Sequence, residues 1–230
     1  MFIKSLLEKD IGVYTFFGVP GSGKTTFAAA ICHAAQLKGY PVYSNVPIIG
    51  AYEINKSEIG HYKLPLFNSP IAVLIVDEAG AEFNNRDYKS NFDYESLRWW
   101  LRHRHYRTMI YTFAQGIDHC DKKIRNITQQ FFTIKRKGNL IYATPIYYDS
   151  GVNEEKHEMQ DMYFYDESKL SRIFNRTYIW GKKYWKMFDT YEAPYLPDLR
   201  LRRYQSSSSS LSEVSPDNLS SNSDNENVSE

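Results

Sequence analysis

Apolar positions along the chain fall into short unbroken blocks separated by stretches with helical spacing. Residues 11–17 (IGVYTFF) form an apolar run that ends in glycine and predict a first strand. Lys24 to Lys38 carries small and apolar residues at helical spacing, and Gly39 supplies a C-terminal stop. Residues 41–46 (PVYSNV) predict strand two. Residues 47–70 are Gly/Pro-punctuated and predict a long loop with at most one helical turn. The β-branched run IAVLIV at 71–76 predicts strand three, covered on both faces. In FDYESLRWWLRHRHYR (92–107), Asp93 is a candidate N-cap, and Leu97, Trp100 and Leu101 stand at i, i+3, i+4, so they predict one buried helical face. TMIYTFA (108–114) predicts strand four, and a short helix follows around Asp121–Ile127. Residues 129–149 predict two strands joined at Gly138–Asn139. Strands separated by helices mean a parallel sheet. From Tyr148 to Tyr204 the pattern changes to short aromatic strands and turns, and no internal repeat is present.

Composition divides the chain further. Its 230 residues suffice for one sizeable core with a small appended unit. The net charge of +1 hides an asymmetry: residues 206–230 hold Glu213, Asp217, Asp224, Glu226 and Glu230 and no Lys or Arg, which leaves the remainder distinctly basic. That Ser/Asp/Asn-rich tail has almost nothing apolar to bury and is expected to be disordered. The expected organisation is a core over 1–150, an aromatic-rich extension over 151–205 and the tail over 206–230. Cys32 and Cys120 make no CxxC or metal spacing, which fits a reducing cytosol. The N-terminal MFIKSLLEKD is too short and polar for a signal peptide. The run IAVLIV is about a third of a bilayer span, so no membrane span of its own is expected.

Between the first strand and the first helix lies Gly18-Val19-Pro20-Gly21-Ser22-Gly23-Lys24-Thr25, which fits G-x-x-x-x-G-K-[ST]. The glycines let backbone N–H groups converge on phosphate oxygens without Cβ obstruction, and the helix start points its positive dipole end at the same anion. Lys24 reaches the β/γ-phosphates, the Thr25 hydroxyl is a Mg²⁺ ligand, and Thr26 adds a contact to the α-phosphate. ATP and Mg²⁺ are thus the expected ligands. In AVLIVDEAG, Asp77 and Glu78 stand at the carboxyl end of a buried strand, where open α/β sheets bind ligands. Asp77 is expected to hold Mg²⁺ through water, and Glu78 to orient and deprotonate the attacking water. Residues 98–138 are rich in Lys and Arg, interleaved with Trp99, Trp100, Tyr106, Phe131 and Phe132. Such a path suits sequence-blind single-stranded DNA, although Trp100 is expected in the core and basic helix faces are commonly just solvated. His103, His105 and His119 lack a completing carboxylate or Cys and are expected to be solvated.

The blocks VLIVDEAGAEFNNR, RHRHYRTMIYTFAQ and IDHCDKKIR, with GYPVYSNVPI before them and WGKKYWKMFDTYEAPY after, resemble the zonular occludens toxin-like ATPases of filamentous-phage assembly over about residues 11–205. The resemblance implies an α/β P-loop NTPase fold: a doubly wound parallel sheet of order 5-1-4-3-2 with a small β-rich C-terminal extension. It implies an ATP-hydrolysing motor for phage or mobile-element assembly and single-stranded DNA export at the host membrane. Packaging or conjugative translocation, or a nucleotide-dependent scaffold with little hydrolysis, are the alternatives. Gln115, just past strand four, matches the place of a γ-phosphate sensor. Arg104 and Arg125 match arginines of the family blocks, either as a finger for a neighbouring subunit's γ-phosphate in a homo-oligomeric ring or as surface or DNA-contacting residues. The family is usually tethered by one span after this domain. Here the polar tail stands in that place, so the expectation is a host-cytoplasmic protein held peripherally by a separate membrane-anchored assembly partner, without toxin activity.

Overall fold

The computed structural model describes residues 3–54, 71–79, 94–117, 120, 122–153, 158–164 and 169–188. The strands are β1 (Val13–Phe17), β2 (Val42–Ser44), β3 (Tyr52–Glu53), β4 (Ala72–Val76), β5 (Thr108–Ala114), β6 (Thr128–Lys137), β7 (Leu140–Asn153), β8 (Glu158–Phe164) and β9 (Thr177–Trp180). The helices are α1 (Lys24–Leu37), α2 (Tyr94–Leu101), α3 (Lys122–Ile127) and α4 (Lys169–Phe174). The strands form one sheet in the order β3-β2-β4-β5-β1-β6-β7-β8, with β9 on the same edge of β7. The five strands β6-β1-β5-β4-β2 are all parallel and reproduce the expected order 5-1-4-3-2.

Burial explains this order. Each of β1, β4 and β5 is buried along its whole length, as unbroken apolar runs require when helices cover both faces. On one face α1 and a 3-10 helix (Ile3–Glu8) cover Phe16, Val73, Ile75, Phe113 and Phe132. The alanines of α1 are almost wholly buried, and their small side chains let the helix lie close against the sheet. Phe16 stacks on Phe113 at 5.1 Å and on Phe132 at 4.7 Å between ring centroids. On the other face α2 and α3 contribute Trp99, Trp100 and Ile124 against Val13, Leu74 and Phe131. A hydroxyl chain crosses the sheet centre. Thr112 donates to Thr15 at 2.8 Å, Thr15 and Thr128 lie 2.8 Å apart, and Thr128 donates to the Ile124 carbonyl at 2.8 Å. Buried hydroxyls cost stability unless paired, and these are paired.

The antiparallel part begins at the hairpin of β6 and β7, which turns at Gly138 (φ 59°) as the sequence predicts. Strand β7 runs through the expected 150/151 division, and β9 pairs with its first half. The strands on both sides of that division therefore extend one sheet. Two sequence expectations fail here. Leu101 is 58% exposed because α2 ends at that residue, so the i+4 position never completes a buried face. His103 is buried rather than solvated, with Nδ1 2.7 Å from the Trp100 carbonyl oxygen, and burial holds its imidazole below its ordinary pKa. Asp93, His119, Asp121 and the 206–230 tail lie outside the described residues.

Candidate nucleotide-binding site

The loop Gly18–Gly23 leaves the carboxyl end of β1 and enters α1, the helix that packs on the central strands. Gly18 N–H donates to the Ala114 carbonyl at 3.1 Å, pinning the loop to the end of β5. Gly18 leaves little room for a side chain, because a Cβ there would displace Ser22 Oγ and lie 3.1 Å from the Ile134 carbonyl oxygen. Gly23 takes φ +94°, a left-handed conformation, and its Cβ would meet Ile141 Cδ1 at 2.6 Å. No side chain caps α1, so the N–H groups of its first turn point outward for an anion. Ser22 Oγ is buried and has no hydrogen-bond partner. Lys24 folds back across the loop, with Nζ donating to Gly18 O at 2.9 Å and approaching Val19 O at 3.5 Å. Val19 is exposed at the loop's crest, and Pro20 and Gly21 are also exposed. Thr26 is buried as the third residue of the helix.

Strand β4 delivers the acidic pair to the same place. Thr25 Oγ1 donates to Asp77 Oδ2 at 2.7 Å, which joins residues far apart in sequence. Asp77 is 2% exposed. Burial pushes its carboxyl above the usual carboxylate pKa, opposed by hydrogen bonds from Thr25 and from the Glu78 N–H and by the charge of Lys24. The donor set suits a small hard cation: a hydroxyl beside a carboxylate whose buried charge calls for compensation. Glu78 is exposed and takes φ +49°, a conformation that costs a non-glycine residue about 1–2 kcal/mol. The Glu78 N–H bond to Asp77 Oδ1 at 2.9 Å helps hold it there. Strain at an acidic residue beside a phosphate cradle is the kind of outlier that clusters at functional sites.

Sequence reasoning missed Asn45. Its amide brackets the Asp77 backbone, accepting from Asp77 N–H at 2.8 Å and donating to Asp77 O at 2.9 Å. The available signal was a polar residue near the carboxyl end of the predicted strand 41–46, which the expected sheet order places beside strand three; the observed β2 ends one residue before it.

Gln115 is exposed one residue after the Ala114 carbonyl that pins Gly18, so it stands at the rim of the cradle. Arg104 and Arg125 do not join it. Arg104 lies in the turn before Thr108, where β5 begins, and its charge acts on Tyr14 near the start of β1. The seven residues of β5 put about 23 Å between that edge and Gln115. Arg125 is half-buried on α3, which ends where β6 begins beside Val13, again at the amino edge. The expected DNA path also loses its stacking groups. Trp99, Trp100, Phe131 and Phe132 are core residues, and Tyr106 stacks on Trp99 at 5.9 Å. Its cations split between the two ends of the sheet.

The family model described as Zonular occludens toxin (Zot) matches residues 61–161. No curated protein matches the chain. Among solved structures, it is similar to the N-terminal domain of zonular occludens toxin from Neisseria meningitidis, at 16% identity and TM-score 0.49, over 69% of this chain and 96% of that one. It is similar to the genome packaging NTPase B204 of Sulfolobus turreted icosahedral virus 2 in complex with ATP-gammaS, at 15% identity and TM-score 0.41, over 56% and 78%. A third similarity is to the FIGL-1 AAA domain in complex with ADP, at 13% identity and TM-score 0.37, over 55% and 44%. Among the described residues no helix is long and apolar enough to cross a membrane.

Proposed function

We propose that this chain, a P-loop NTPase that is Zot-like over residues 61–161, is a phage-related motor that hydrolyses ATP. The observation that carries the reading is the Thr25–Asp77 contact at 2.7 Å, at the mouth of an uncapped helix and next to a strained, exposed Glu78. The α1 N–H groups and the Gly18–Gly23 backbone bind the phosphates. Lys24 leaves the Gly18 and Val19 carbonyls and takes β/γ-oxygens instead, so its charge moves from a neutral to an anionic partner. Thr25 and, through water, Asp77 would hold Mg²⁺, which supplies neutralisation of the phosphate charge. Glu78 accepts the proton of the attacking water, and Gln115 orients that water from the end of the adjacent strand β5. Asn45 keeps the Asp77 backbone in place while the loop changes partners.

The biological work follows as part of the same proposal: assembly and export of a phage or mobile-element genome as single-stranded DNA, by a homo-oligomeric ring working at the host membrane through a separate anchored partner. An arginine of the neighbouring subunit supplies the transition-state cation. Arg104 qualifies only if the neighbour presents its amino edge to this site.

The test is ATP turnover of the purified chain with and without single-stranded DNA, for wild type and Glu78→Gln. The motor reading expects DNA-stimulated turnover that the substitution removes while nucleotide binding persists. Glu78→Gln turning over at the wild-type rate refutes the catalytic assignment. Binding without measurable wild-type hydrolysis favours the scaffold alternative.

A further inference from the structure

The fold parts the basic and aromatic residues that the sequence places together, but it assembles another set. The hairpin of β6 and β7 carries Lys135, Arg136 and Lys137, all exposed. Its turn is tied to the chain after β9, where Gly181 N–H donates to the Asn139 carbonyl at 2.8 Å. That stretch adds exposed Lys182 and Lys186. Cross-strand pairing puts Lys135, Lys137 and Trp180 (57% exposed) on one face of the hairpin, and Arg136 on the other with Trp185 (38% exposed), so the set straddles the hairpin end. The Arg136 guanidinium lies 5.4 Å from the Trp185 ring centroid while its Nε donates to Gly138 O at 2.7 Å. Residues 133–147 and 176–188 contain no Asp or Glu.

Five exposed cations on described stretches that carry no carboxylate favour a polyanion, and Glu8, near Trp180, is the one described acid that borders them. Two indole rings in water favour a partner with flat apolar faces of its own. Single-stranded nucleic acid offers both at once, phosphates for the cations and unpaired bases for the rings, whereas a duplex hides its base faces.

The same surface touches the phosphate cradle through one side chain. A Cβ at Gly23 would lie 2.6 Å from Ile141 Cδ1, and a Cβ at Gly181 would lie 3.1 Å from the same atom and 3.2 Å from Trp185 Nε1. Ile141 is therefore wedged between the last glycine of the loop and the base of the Trp185 segment, and it is 1% exposed. A close-packed side chain of this kind transmits displacement rather than absorbing it. We propose that the hairpin and tryptophan surface binds single-stranded nucleic acid, and that Ile141 passes its occupancy to Gly23. The purpose of such coupling rests on the motor reading; the binding chemistry does not.

Binding of a labelled oligothymidylate of about 20 nucleotides to the full, nucleotide-free chain is followed by fluorescence anisotropy over a salt series. Trp180→Ala and Trp185→Ala should each weaken binding about 5- to 150-fold. Lys135→Ala and Lys182→Ala should each reduce the salt slope by about 0.7. Arg102→Ala and Arg107→Ala, at the opposite edge, should change nothing. Circular dichroism melts check that each variant folds. For coupling, the affinity of a fluorescent non-hydrolysable ATP analogue is measured with and without saturating oligothymidylate, and Ile141→Val should diminish the difference while leaving oligothymidylate affinity within twofold. No wild-type binding at low salt, or loss with the Arg102 and Arg107 variants instead, overturns the surface. Capture of phosphatidylserine vesicles without oligothymidylate also overturns it, in favour of a membrane face. An unchanged difference in Ile141→Val overturns the coupling. Oligothymidylate binding alongside a failed turnover test would sink the motor reading and leave the surface standing.

Discussion

Asp77→Asn is the substitution on which the site's physics can be checked most directly. The carboxylate is 2% exposed and held by two hydrogen bonds, from Thr25 and from the Glu78 N–H. Asparagine can keep both. Its carbonyl accepts from Glu78, and its amide donates to the Thr25 hydroxyl, which turns to accept. The exchange weakens two charge-assisted bonds to neutral ones, a loss of about 1 kcal/mol each, and removes the burial of a charge, a cost of several kcal/mol. The nucleotide-free variant should therefore be more stable, by about 1 kcal/mol or more, raising Tm by about 2–4 °C per kcal/mol for a chain of this size. The pH dependence follows from the direction of the shift. The folded pKa lies above the unfolded one, so the native state holds the extra proton between them. Wild-type stability from this group is thus greatest below the unfolded value of about 3.9, falls as pH rises through the interval, and levels off above the folded pKa. The variant should lack that fall. With Mg²⁺ and a non-hydrolysable ATP analogue at about 100 times Kd, wild type should gain about 2.7 kcal/mol, or about 5–10 °C. The variant should lose most of the Mg²⁺-dependent part of that gain. Differential scanning fluorimetry across pH 4–8, with and without Mg²⁺, measures all three. A variant that melts several degrees below wild type in the absence of nucleotide, or that keeps the full Mg²⁺-dependent shift, refutes the argument.

Glu78→Gly should raise Tm, by relieving about 1 kcal/mol of left-handed strain, while removing ATP turnover; a lower Tm would mean that φ +49° carries no cost here. Asn45→Ala should destabilise the chain by about 1–3 kcal/mol in urea titration, because it orphans the Asp77 N–H, and a change under about 0.3 kcal/mol would contradict the clamp. Gly23→Ala should weaken binding of a fluorescent ATP analogue sharply, since φ +94° strains any side-chain-bearing residue and its Cβ would displace Ile141; normal affinity would show that the loop can shift. Mixing Arg104→Ala with Lys24→Ala protein should restore part of the turnover if Arg104 acts on a neighbour, a gain of the about 10³–10⁵ order that a trans-acting arginine supplies at each repaired interface. No recovery at any ratio removes Arg104 from that role.

Much of this was legible because the signals are local. The cradle is a contiguous motif between an apolar run and a helical one, and the hairpin turn at Gly138–Asn139 announces itself by composition. Strand order came with the family resemblance carried by the blocks around the acidic pair. The misses depended on where chains end and what lies opposite. Leu101 looked buried because the pattern assumed that the helix continues. The interleaved aromatics looked available because sequence spacing does not say that both faces of β6 are covered, so Phe131 and Phe132 are buried on opposite sides of the sheet. Asn45 was invisible until β2 and β4 were seen side by side. The distance of Arg104 from its own chain's cradle was already readable in the sequence: a residue just before a parallel strand sits at its amino edge, away from the ligand end.

The central position of β1 has a consequence for how the chain is made. Its two neighbours, β5 and β6, come from residues 108–114 and 128–137, so β1 leaves the ribosome well before either partner and is not paired on both edges until β6 follows. At ordinary elongation rates of about 5–20 residues per second, the sequence VYTFF waits about 6–25 s before both of its edges are matched. A strand of that composition is also an aggregation template. Production of this protein should therefore depend on chaperone capacity during translation more than on the stability of the finished fold, and slowing elongation should lower its soluble yield instead of raising it.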